Sequence, residues 1–386
     1  MLRFLTAGES HGKCLTAIID GMPAGLHIQE EYINRCLSKR QMGYGRGPRM
    51  NIEEDTVQIL SGVRAGKTIG SPICMLIPNR DWENWASIMD ISVAPMTEET
   101  RVTRPRPGHA DLAGAIKYDQ LQDLRNVFER ASARETVARV ACGAVAKRFL
   151  EEFDIIVMSH VTQIGTVRAQ NLPKDLRLVE QRALSSPVRC ADLNASEKMV
   201  AAIDECIRSK DTIGGIFQVL ATGLPPGLGT YVQWDRRLDA RLAGAIMSIP
   251  GVKGVEIGLG FKYPELTGTQ VHDEIILDEH SKKLTRRSNN AGGIEGGVTN
   301  GQPLIIQAVM KPISTTKTPL QSVELETKTP SVAHFERSDV CAVPACGVVA
   351  EAMVAMELAS ALMERYGSDT VEQIKIALKK DLDNLP

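Results

Sequence analysis

Three short segments from the first half of the chain recur, in the same order, in the second half. The matched pairs are Gly21-Met-Pro-Ala-Gly-Leu26 with Gly223-Leu-Pro-Pro-Gly-Leu228, Gly66-Lys-Thr-Ile-Gly-Ser-Pro72 with Gly297-Val-Thr-Asn-Gly-Gln-Pro303, and Ala141-Cys-Gly-Ala-Val-Ala146 with Ala345-Cys-Gly-Val-Val-Ala350. Because Gly and Pro occur in the turns of every fold, a single match is compatible with coincidental turn chemistry. Three matches in one order favour a duplicated α+β unit over a solenoid of many short repeats.

The repeat predicts how the chain of 386 residues is organised. The two halves, about 1–150 and 210–370, each combine short apolar strands with a long helix rich in small residues. One helix runs from Arg130 and the other from about Pro344 to Tyr366. Small residues permit close packing of helices, and a helical layer shared by two sheets would cover a face of both. We therefore expect residues 1–386 to form a single domain of two similar interlocked halves.

The helix of the first half has a start that is suited to anion binding. In Arg130-Ala-Ser-Ala-Arg-Glu-Thr136, Ser132 and Glu135 fit a capping box, and apolar residues recur behind them at helical spacing. The first turn of a helix carries free N–H groups and the positive end of the dipole, and Arg130 and Arg134 stand beside it. This combination predicts a phosphate or carboxylate site. The alternative is a capped surface helix with solvated arginines.

Composition excludes several classes of function. A net charge of -2 argues against a general nucleic-acid binder, because such binding needs a basic face. The eight cysteines include no Cys-x-x-Cys pair and lie among apolar residues, so reduced buried thiols are expected rather than disulfides or a metal site. No apolar run resembles a signal peptide or reaches membrane-spanning length without charge. We expect a cytoplasmic protein with no metal, no nucleic-acid partner and no membrane.

Arginines are concentrated on the loops. They are Arg40, Arg46 and Arg49 around a glycine-rich segment, Arg106, Arg130 and Arg134, and Arg337 near Asp339. Guanidinium groups bind carboxylate and phosphate through two parallel hydrogen bonds, and so many in one dry pocket would repel each other without a polyanion. If these loops converge, the ligand is small and highly anionic. For Gly43-Tyr-Gly-Arg-Gly47 alone, an RNA-contacting segment is the alternative.

His11 and His109 are the candidate acid–base groups. His11 lies between Ser10 and Gly12, and His109 follows Pro107-Gly108, so both stand on tight loops near arginines or carboxylates. Imidazole is suited to proton transfer near neutral pH, although a hydrogen-bonded surface histidine is the alternative for each. The remaining histidines lack such surroundings and are interpreted as structural: His27, His160, His272, His280 and His334.

Three further loops are candidates for ligand contacts. The loop from Asn289 to Gly301 is glycine-rich, and Lys311-Pro-Ile-Ser-Thr-Thr316 offers a cation and hydroxyls to a phosphate. Neither has Rossmann or P-loop spacing, so a phosphorylated ligand and a plain glycine-rich turn are both open interpretations. The polar loop from Asp81 to Glu99 is long for a simple connection, which predicts a cover for a site.

Six stretches of this sequence resemble the signature stretches of the chorismate synthase family. They are Gly8-Glu-Ser-His-Gly12, Gly43-Tyr-Gly-Arg-Gly47, Arg106-Pro-Gly-His-Ala-Asp111, Arg130-Ala-Ser-Ala-Arg-Glu-Thr136, Val252-Lys-Gly-Val-Glu-Ile-Gly258 and Arg337-Ser-Asp-Val340. The resemblance covers the whole chain. It implies a carbon–oxygen lyase that converts 5-enolpyruvylshikimate-3-phosphate to chorismate by 1,4-anti elimination of phosphate, in the shikimate pathway of aromatic amino acid biosynthesis. It also implies reduced FMN as cofactor without net redox change, a homotetramer, and a β-α-β sandwich with a helical layer between two mostly antiparallel sheets.

The resemblance assigns roles to individual residues. His11 would protonate or hydrogen-bond the departing phosphate, His109 would stabilise or protonate the reduced flavin near N1, and Asp339 would take the proton from flavin N5. The substrate carries a phosphate and two carboxylates, which matches the polyanion inferred from the arginines. Its expected contacts are Ser10, Arg40, Arg46, Arg49, Arg106, Ser132, Arg134 and Arg337.

For FMN the resemblance implies a second set of contacts. These are Arg130, Ala131, Ser132, Pro250, Gly251, Gly296, Lys311, Pro312, Ile313, Ser314, Thr315 and Arg337. Pro250 stands where many relatives carry Asn, so any flavin contact there must use the backbone. Arg40 and Arg46 fit either the substrate or a nicotinamide.

The source of the reduced flavin is a separate expectation. No distinct nicotinamide domain is present, so we expect NADPH to act indirectly, through an external flavin reductase. The alternatives for the whole chain are another flavin-dependent phosphate lyase and a non-catalytic protein that binds a phosphorylated ligand.

Overall fold

The computed structural model describes residues 2–47, 54–92, 100–279 and 282–385. Its strands are β1 Arg3–Ala7, β2 Cys14–Asp20, β3 Gln58–Ile59, β4 Val63–Arg64, β5 Lys67–Thr68, β6 Ile73–Pro78, β7 Ile156–Ile164, β8 Val167–Arg168, β9 Gly215–Thr222, β10 Val252–Ile257, β11 Ile275–Leu277, β12 Leu284–Arg286, β13 Ile294–Glu295, β14 Val298–Thr299, β15 Leu304–Met310, β16 Gln321–Glu324 and β17 Thr329–Val332. Its helices are α1 Glu30–Gln41, α2 Trp82–Met89, α3 Asp111–Tyr118, α4 Arg125–Ala131, α5 Thr136–Glu151, α6 Leu176–Ser185, α7 Leu193–Arg208, α8 Leu238–Met247, α9 Gly268–Val271, α10 Val343–Tyr366 and α11 Val371–Asp383.

Two main sheets enclose a layer of helices. The first sheet has the strand order β1-β2-β6-β3 and the second has the order β10-β15-β9-β7-β8, with antiparallel pairing throughout. Alternate residues of β2, namely Leu15, Ala17 and Ile19, are buried, which is typical of a strand with one covered face. Helix α5 packs on β2, and α10 packs on β7 and β9. The expected α+β sandwich is therefore confirmed.

The two long helices lie against each other in the centre, as the repeat predicts. Gly143 on α5 faces Ala352 on α10, and a Cβ added at Gly143 would lie 2.2 Å from the Ala352 Cβ and 2.4 Å from its Cα. Within the described residues, Val343–Tyr366 is long and apolar enough to cross a membrane, but 94% of its most apolar 18-residue stretch is buried inside the fold. The apolar side chains of this helix therefore form part of the core.

The first repeated segment has the same hydrogen bonds in both halves. The Thr68 hydroxyl donates to the Pro23 carbonyl (2.6 Å) and accepts from the Leu26 N–H (2.9 Å). In the second half, Thr299 donates to the Pro225 carbonyl (2.7 Å) and accepts from the Leu228 N–H (2.8 Å). Coincidental turn chemistry does not account for two such networks at matched positions.

The strand order repeats as well. The order β1-β2-β6-β3 of the first sheet corresponds to β7-β9-β15-β10 of the second, and the repeated Gly-Pro turn follows β2 in one half and β9 in the other. The helix that follows this turn is α1 in the first half and α8 in the second. On this match we propose that the chain forms one domain of two interlocked halves, at about 1–150 and 210–370.

Two local predictions are wrong in detail. The helix expected from Arg130 starts at Thr136, because Arg130 lies in the last turn of α4 and Ser132 caps an intervening 3-10 turn through the Arg134 N–H (3.3 Å). The segment expected to be a loop from Asp81 to Glu99 contains α2, and its residues 93–99 lie outside the described ranges.

The Gly143 contact yields a stability prediction. Gly143→Ala should lower the free energy of unfolding by about 1–3 kcal/mol or more, since the added methyl group overlaps the α10 backbone. Gly244→Ala is the matched control, because Gly244 is an exposed helical glycine whose added Cβ meets nothing within 4 Å. That change should stabilise by about 0.5–1 kcal/mol. Urea unfolding of both variants measures the difference, and equal effects would contradict the proposed close contact.

Candidate active site

A cavity of about 630 Å³ lies where loops from both halves meet the two long helices, at Ala133 in the 3-10 turn before α5 and at Ala342, the N-cap of α10. Most of the residues expected at a site line it together. They are Ser10, His11, Arg40, Arg46, Arg106, His109, Ala131, Ser132, Arg134, Pro250, Gly251, Lys311, Pro312, Ile313, Ser314, Thr315, Arg337 and Asp339.

Two of the expected residues, Arg130 and Gly296, do not join this group. The Arg130 guanidinium donates to the carbonyls of Thr6 (2.9 Å) and Gly8 (3.1 Å) and lines a neighbouring groove instead. Gly296 lies in the turn of the β13-β14 hairpin and is not among the lining residues of the cavity. Arg49 lies outside the described residues.

The wall of the cavity carries an excess of positive charge. Among the described residues, seven cationic side chains line it: Arg40, Arg46, Arg106, Arg134, Lys253, Lys311 and Arg337. Three carboxylates, those of Glu129, Glu336 and Asp339, line the same cavity. An enclosed site with this imbalance favours a ligand with several negative charges.

A buried carboxylate behind the wall holds two of the arginines. Asp55 accepts from Arg134 Nη1 (2.5 Å) and from Arg40 Nη1 (3.5 Å), and the Asn79 amide oxygen accepts from Arg134 Nη2 (2.8 Å). Burial lowers the pKa of Arg40 to about 10, an effect that Asp55 opposes and that Arg46 and Arg134 reinforce. The guanidinium groups are therefore held in place by the protein itself.

Asp339 pairs with the glycine-rich loop rather than with its neighbour in sequence, Arg337. Its carboxylate forms an ion pair with Arg46, whose Nε lies 3.0 Å away, and accepts a hydrogen bond from the Gly47 N–H (2.6 Å). Arg337 is exposed at the wall, and its side chain has no ion pair or hydrogen bond within the part of the chain that the structure describes. Arg337 is thus the wall arginine that can most readily turn toward an incoming anion.

His11 is held from two sides. Its Nδ1 lies 2.8 Å from Glu129 Oε1, and its backbone N–H donates to Glu129 Oε2 (2.8 Å). The imidazole also stacks on the indole of Trp85, with ring centroids 3.8 Å apart. Trp85 belongs to α2, so the segment expected to cover a site does reach the cavity.

His109 is held by a second carboxylate. Its Nδ1 lies 2.5 Å from Asp111 Oδ1, and Arg106 forms a fork with the same carboxylate at 2.8 and 3.0 Å. Burial raises the pKa of the Asp111 carboxyl, but the hydrogen bonds from His109 and Arg106 outweigh burial, so the net shift is downward. The Arg106 guanidinium also lies 4.7 Å from the ring centroid of Phe128.

One wall is largely apolar and ends in hydroxyl groups. It is formed by Met247, Ile249, Pro250, Val252, Met310, Pro312 and Ile313, followed by Ser314 and Thr315. Gly108 lies opposite this segment, and a Cβ added there would lie 3.4 Å from Lys311 Nζ and 3.5 Å from Ser314 Cβ. Burial lowers the pKa of Lys311, as does nearby Lys253. Such a wall offers apolar contacts together with an ammonium group and hydroxyls that can bind an anion.

Sequence reasoning missed several residues of the site. They are Asp55, Asn79, Trp85, Asp111, Glu129 and Glu336. Asp111 ends one of the signature stretches and Glu129 precedes another, so proximity to a motif was the available signal for both. Asp55 and Asn79 lie in segments with no recognisable pattern.

Comparison with known proteins gives a consistent result. The family model described as chorismate synthase matches residues 2–363. A chorismate synthase from a Geobacillus species is 54% identical over 382 residues, covering 98% of each chain. One from Geobacter sulfurreducens is 55% identical over 381 residues, covering 97% of each. A crystal structure of a chorismate synthase has a TM-score of 0.80 and 44% identity, covering 100% of this chain and 98% of that chain.

The Asp111 network yields a prediction about pH. Asp111→Asn should lower the free energy of unfolding by about 3 kcal/mol at pH 7, because it breaks a buried ion pair. The folded-state pKa of Asp111 lies below its unfolded value of about 4, so its contribution is complete above that value and is lost as the pH falls. The difference in the free energy of unfolding between wild type and variant should therefore become smaller as the pH falls below 5, and urea unfolding measures it.

The control for this prediction is Asp20→Asn, which removes an exposed ion pair with Arg3. Its effect should stay below about 1 kcal/mol at every pH. A gap for Asp111→Asn that does not change with pH would contradict the assigned ion pair.

Proposed function

The chain belongs to the chorismate synthase family, and it is a carbon–oxygen lyase that eliminates phosphate from 5-enolpyruvylshikimate-3-phosphate to give chorismate; we propose that this reaction takes place in the cavity described above. The observation that carries the proposal is the excess of cationic side chains beside two carboxylate-held histidines. Another flavin-dependent phosphate lyase and a non-catalytic phospholigand-binding protein, the alternatives left open by the sequence, are not favoured.

The substrate carries a phosphate and two carboxylates, and the arginines are proposed to bind them. The proposed contacts are Ser10, Arg40, Arg46, Arg49, Arg106, Ser132, Arg134 and Arg337. Asp55, Asp111 and Asp339 hold Arg134, Arg106 and Arg46 in fixed orientations before substrate binds. Because the guanidinium groups are already oriented, less conformational entropy is lost when the anion binds.

Membership of the family implies a requirement for a reduced flavin. We propose that the flavin is FMN, held by Ala131, Ser132, Pro250, Gly251, Arg337 and the segment from Lys311 to Thr315. The apolar wall suits the ring and the hydroxyls with Lys311 suit the phosphate, which supports this placement. Arg130 and Gly296 stay predictions as cofactor contacts, since they lie away from the cavity. When bound, the reduced flavin supplies the electron-rich ring that this elimination needs.

The protein's own groups are proposed to handle the protons. His11 donates a proton or a hydrogen bond to the departing phosphate. His109, held by Asp111, would donate a proton or a hydrogen bond at flavin N1. Asp339, fixed by Arg46 and the Gly47 N–H, accepts the proton at flavin N5.

The assembly and location are also proposals. We propose a homotetramer, which light scattering would test against a chain mass of 42.1 kDa. Large apolar side chains that are exposed in the single chain support further association, such as Leu5 (72% exposed), Trp234 (75%) and Phe261 (85%). All eight cysteines are free, which is in keeping with a reducing compartment such as the cytoplasm.

The first test is turnover. Under anaerobic conditions with chemically reduced FMN, the protein should convert 5-enolpyruvylshikimate-3-phosphate to chorismate and phosphate. His109→Ala should reduce kcat by about 10²–10⁴-fold, because a positioned acid is lost. The absorbance of chorismate and the amount of released phosphate measure turnover by the wild type and by the variant. An inactive wild type that is folded and binds FMN would refute the proposed site.

The second test concerns the source of electrons. In air, with NADPH and oxidised FMN alone, no chorismate should form, because the proposed reductase is a separate protein. Adding a flavin reductase anaerobically should restore turnover. Steady turnover without the reductase would show that the chain reduces its own flavin.

A further inference from the structure

We propose that Glu129 is a positioning residue that sets the tautomer of His11, so that Nε2 is the ring nitrogen that exchanges a proton with the ligand. The inference rests on the proposed role of His11 at the departing phosphate. It concerns a residue that no signature stretch contains and that lines the cavity from the last turn of α4.

The geometry of Glu129 leaves little freedom for the histidine. Its side chain is 1% exposed, and both oxygens bind His11, one at Nδ1 and one at the backbone N–H, each at 2.8 Å. The Glu129 carbonyl also accepts from the Ser10 N–H (3.0 Å). A carboxylate only accepts hydrogen bonds, so Nδ1 must carry a hydrogen in both the neutral and the charged imidazole. The proton that is gained or lost then resides on Nε2.

The surroundings of the ring oppose its rotation. A half-turn of the imidazole would exchange its edges, but the Trp85 indole stacks on it with an interplanar angle of 23°. The Arg125 guanidinium packs 5.3 Å from the Trp85 ring centroid and lies 3.5 Å from Glu129 Oε1. It therefore helps to hold both the indole and the carboxylate in place beside His11. Glu336 is a further charged group that interacts with His11, and it pairs with His334 at 3.1 Å.

A single substitution distinguishes positioning from a structural role. In the Glu129→Gln variant, the side chain has one oxygen in place of two, while the His11 backbone N–H still requires an acceptor. The amide oxygen is expected to serve that N–H, which turns the NH₂ group toward Nδ1. The amide N–H groups can only donate, so an Nδ1 that faces them must act as an acceptor and carry no hydrogen. The hydrogen of the neutral ring should therefore move to Nε2.

The decisive measurement is the tautomer of His11 without any turnover. The full chain, labelled with ¹⁵N-histidine, is examined by NMR above the titration range of imidazole, and the His11 signals are assigned by their loss in His11→Asn. The wild type should show a protonated Nδ1 and an unprotonated Nε2, and Glu129→Gln should show the reverse. An Nδ1–H tautomer in both proteins would overturn the proposal, whether or not the proposed reaction is observed.

Kinetics supplies the second arm of the experiment. Glu129→Gln should lower kcat by about 10²-fold, in the range expected for a misplaced acid, with KM changed less than threefold. In a His11→Ala background, adding Glu129→Gln should lower kcat little further, because Glu129 acts through His11. Losses that multiply in the double variant would overturn the proposal.

The matched control is Glu357→Gln, which neutralises an ion-paired carboxylate that does not line the cavity. It should leave kcat, KM and the His11 tautomer unchanged. If the wild type itself gives no chorismate, the proposed function fails while the NMR comparison still decides the role of Glu129.

Discussion

The contact between α5 and α10 determines where the rest of this molecule lies. Gly143 lets the α10 backbone approach so closely that even a methyl group would overlap Ala352. Beside this contact, the buried Glu351 carboxylate on α10 binds Lys147 on α5, Arg189 (2.9 Å) and the Ser159 hydroxyl of β7 (2.7 Å). Burial raises the pKa of Glu351, but Lys147 and Arg189 outweigh it and the net shift is downward. The two helices and the second sheet are thereby held in one register.

The position of the cavity follows from this packing. The two long helices begin at the same end of the helical layer, since Ala133, in the 3-10 turn before α5, and Ala342, the N-cap of α10, both line the cavity there. The positive ends of their dipoles and the loops of both halves converge on one volume. Neither half supplies the complete set: the histidines come from the first half, while Asp339, Lys311 and Arg337 come from the second.

In the cavity wall, carboxylates that pair with the arginines offset the repulsion between the positive charges. Several guanidinium groups close together repel each other, and desolvation lowers the pKa of Arg40 further. Asp55, Asp111 and Asp339 hold Arg134, Arg106 and Arg46 at fixed angles without cancelling the net positive charge of the wall. Two histidines are held in the same way by Glu129 and Asp111. Buried carboxylates therefore orient both the groups that bind and the groups that transfer protons.

Local pattern was enough to predict the repeated turns, the small-residue helices, the arginine loops and the paired histidines, because each depends on residues near one another in sequence. The start of α5 was predicted too early because the sequence did not show that α4 and a 3-10 turn precede it. The hydrogen bonds of Arg130 to Thr6 and Gly8 were not predictable, since these partners lie more than a hundred residues away. Asp55 and Asn79 had no sequence signal, because their partner Arg134 is also distant in sequence. The sequence by itself determined the α+β sandwich and the chemistry available. Only the tertiary structure decided which carboxylate holds which cation or imidazole, because those pairings join segments that meet only after the halves have packed.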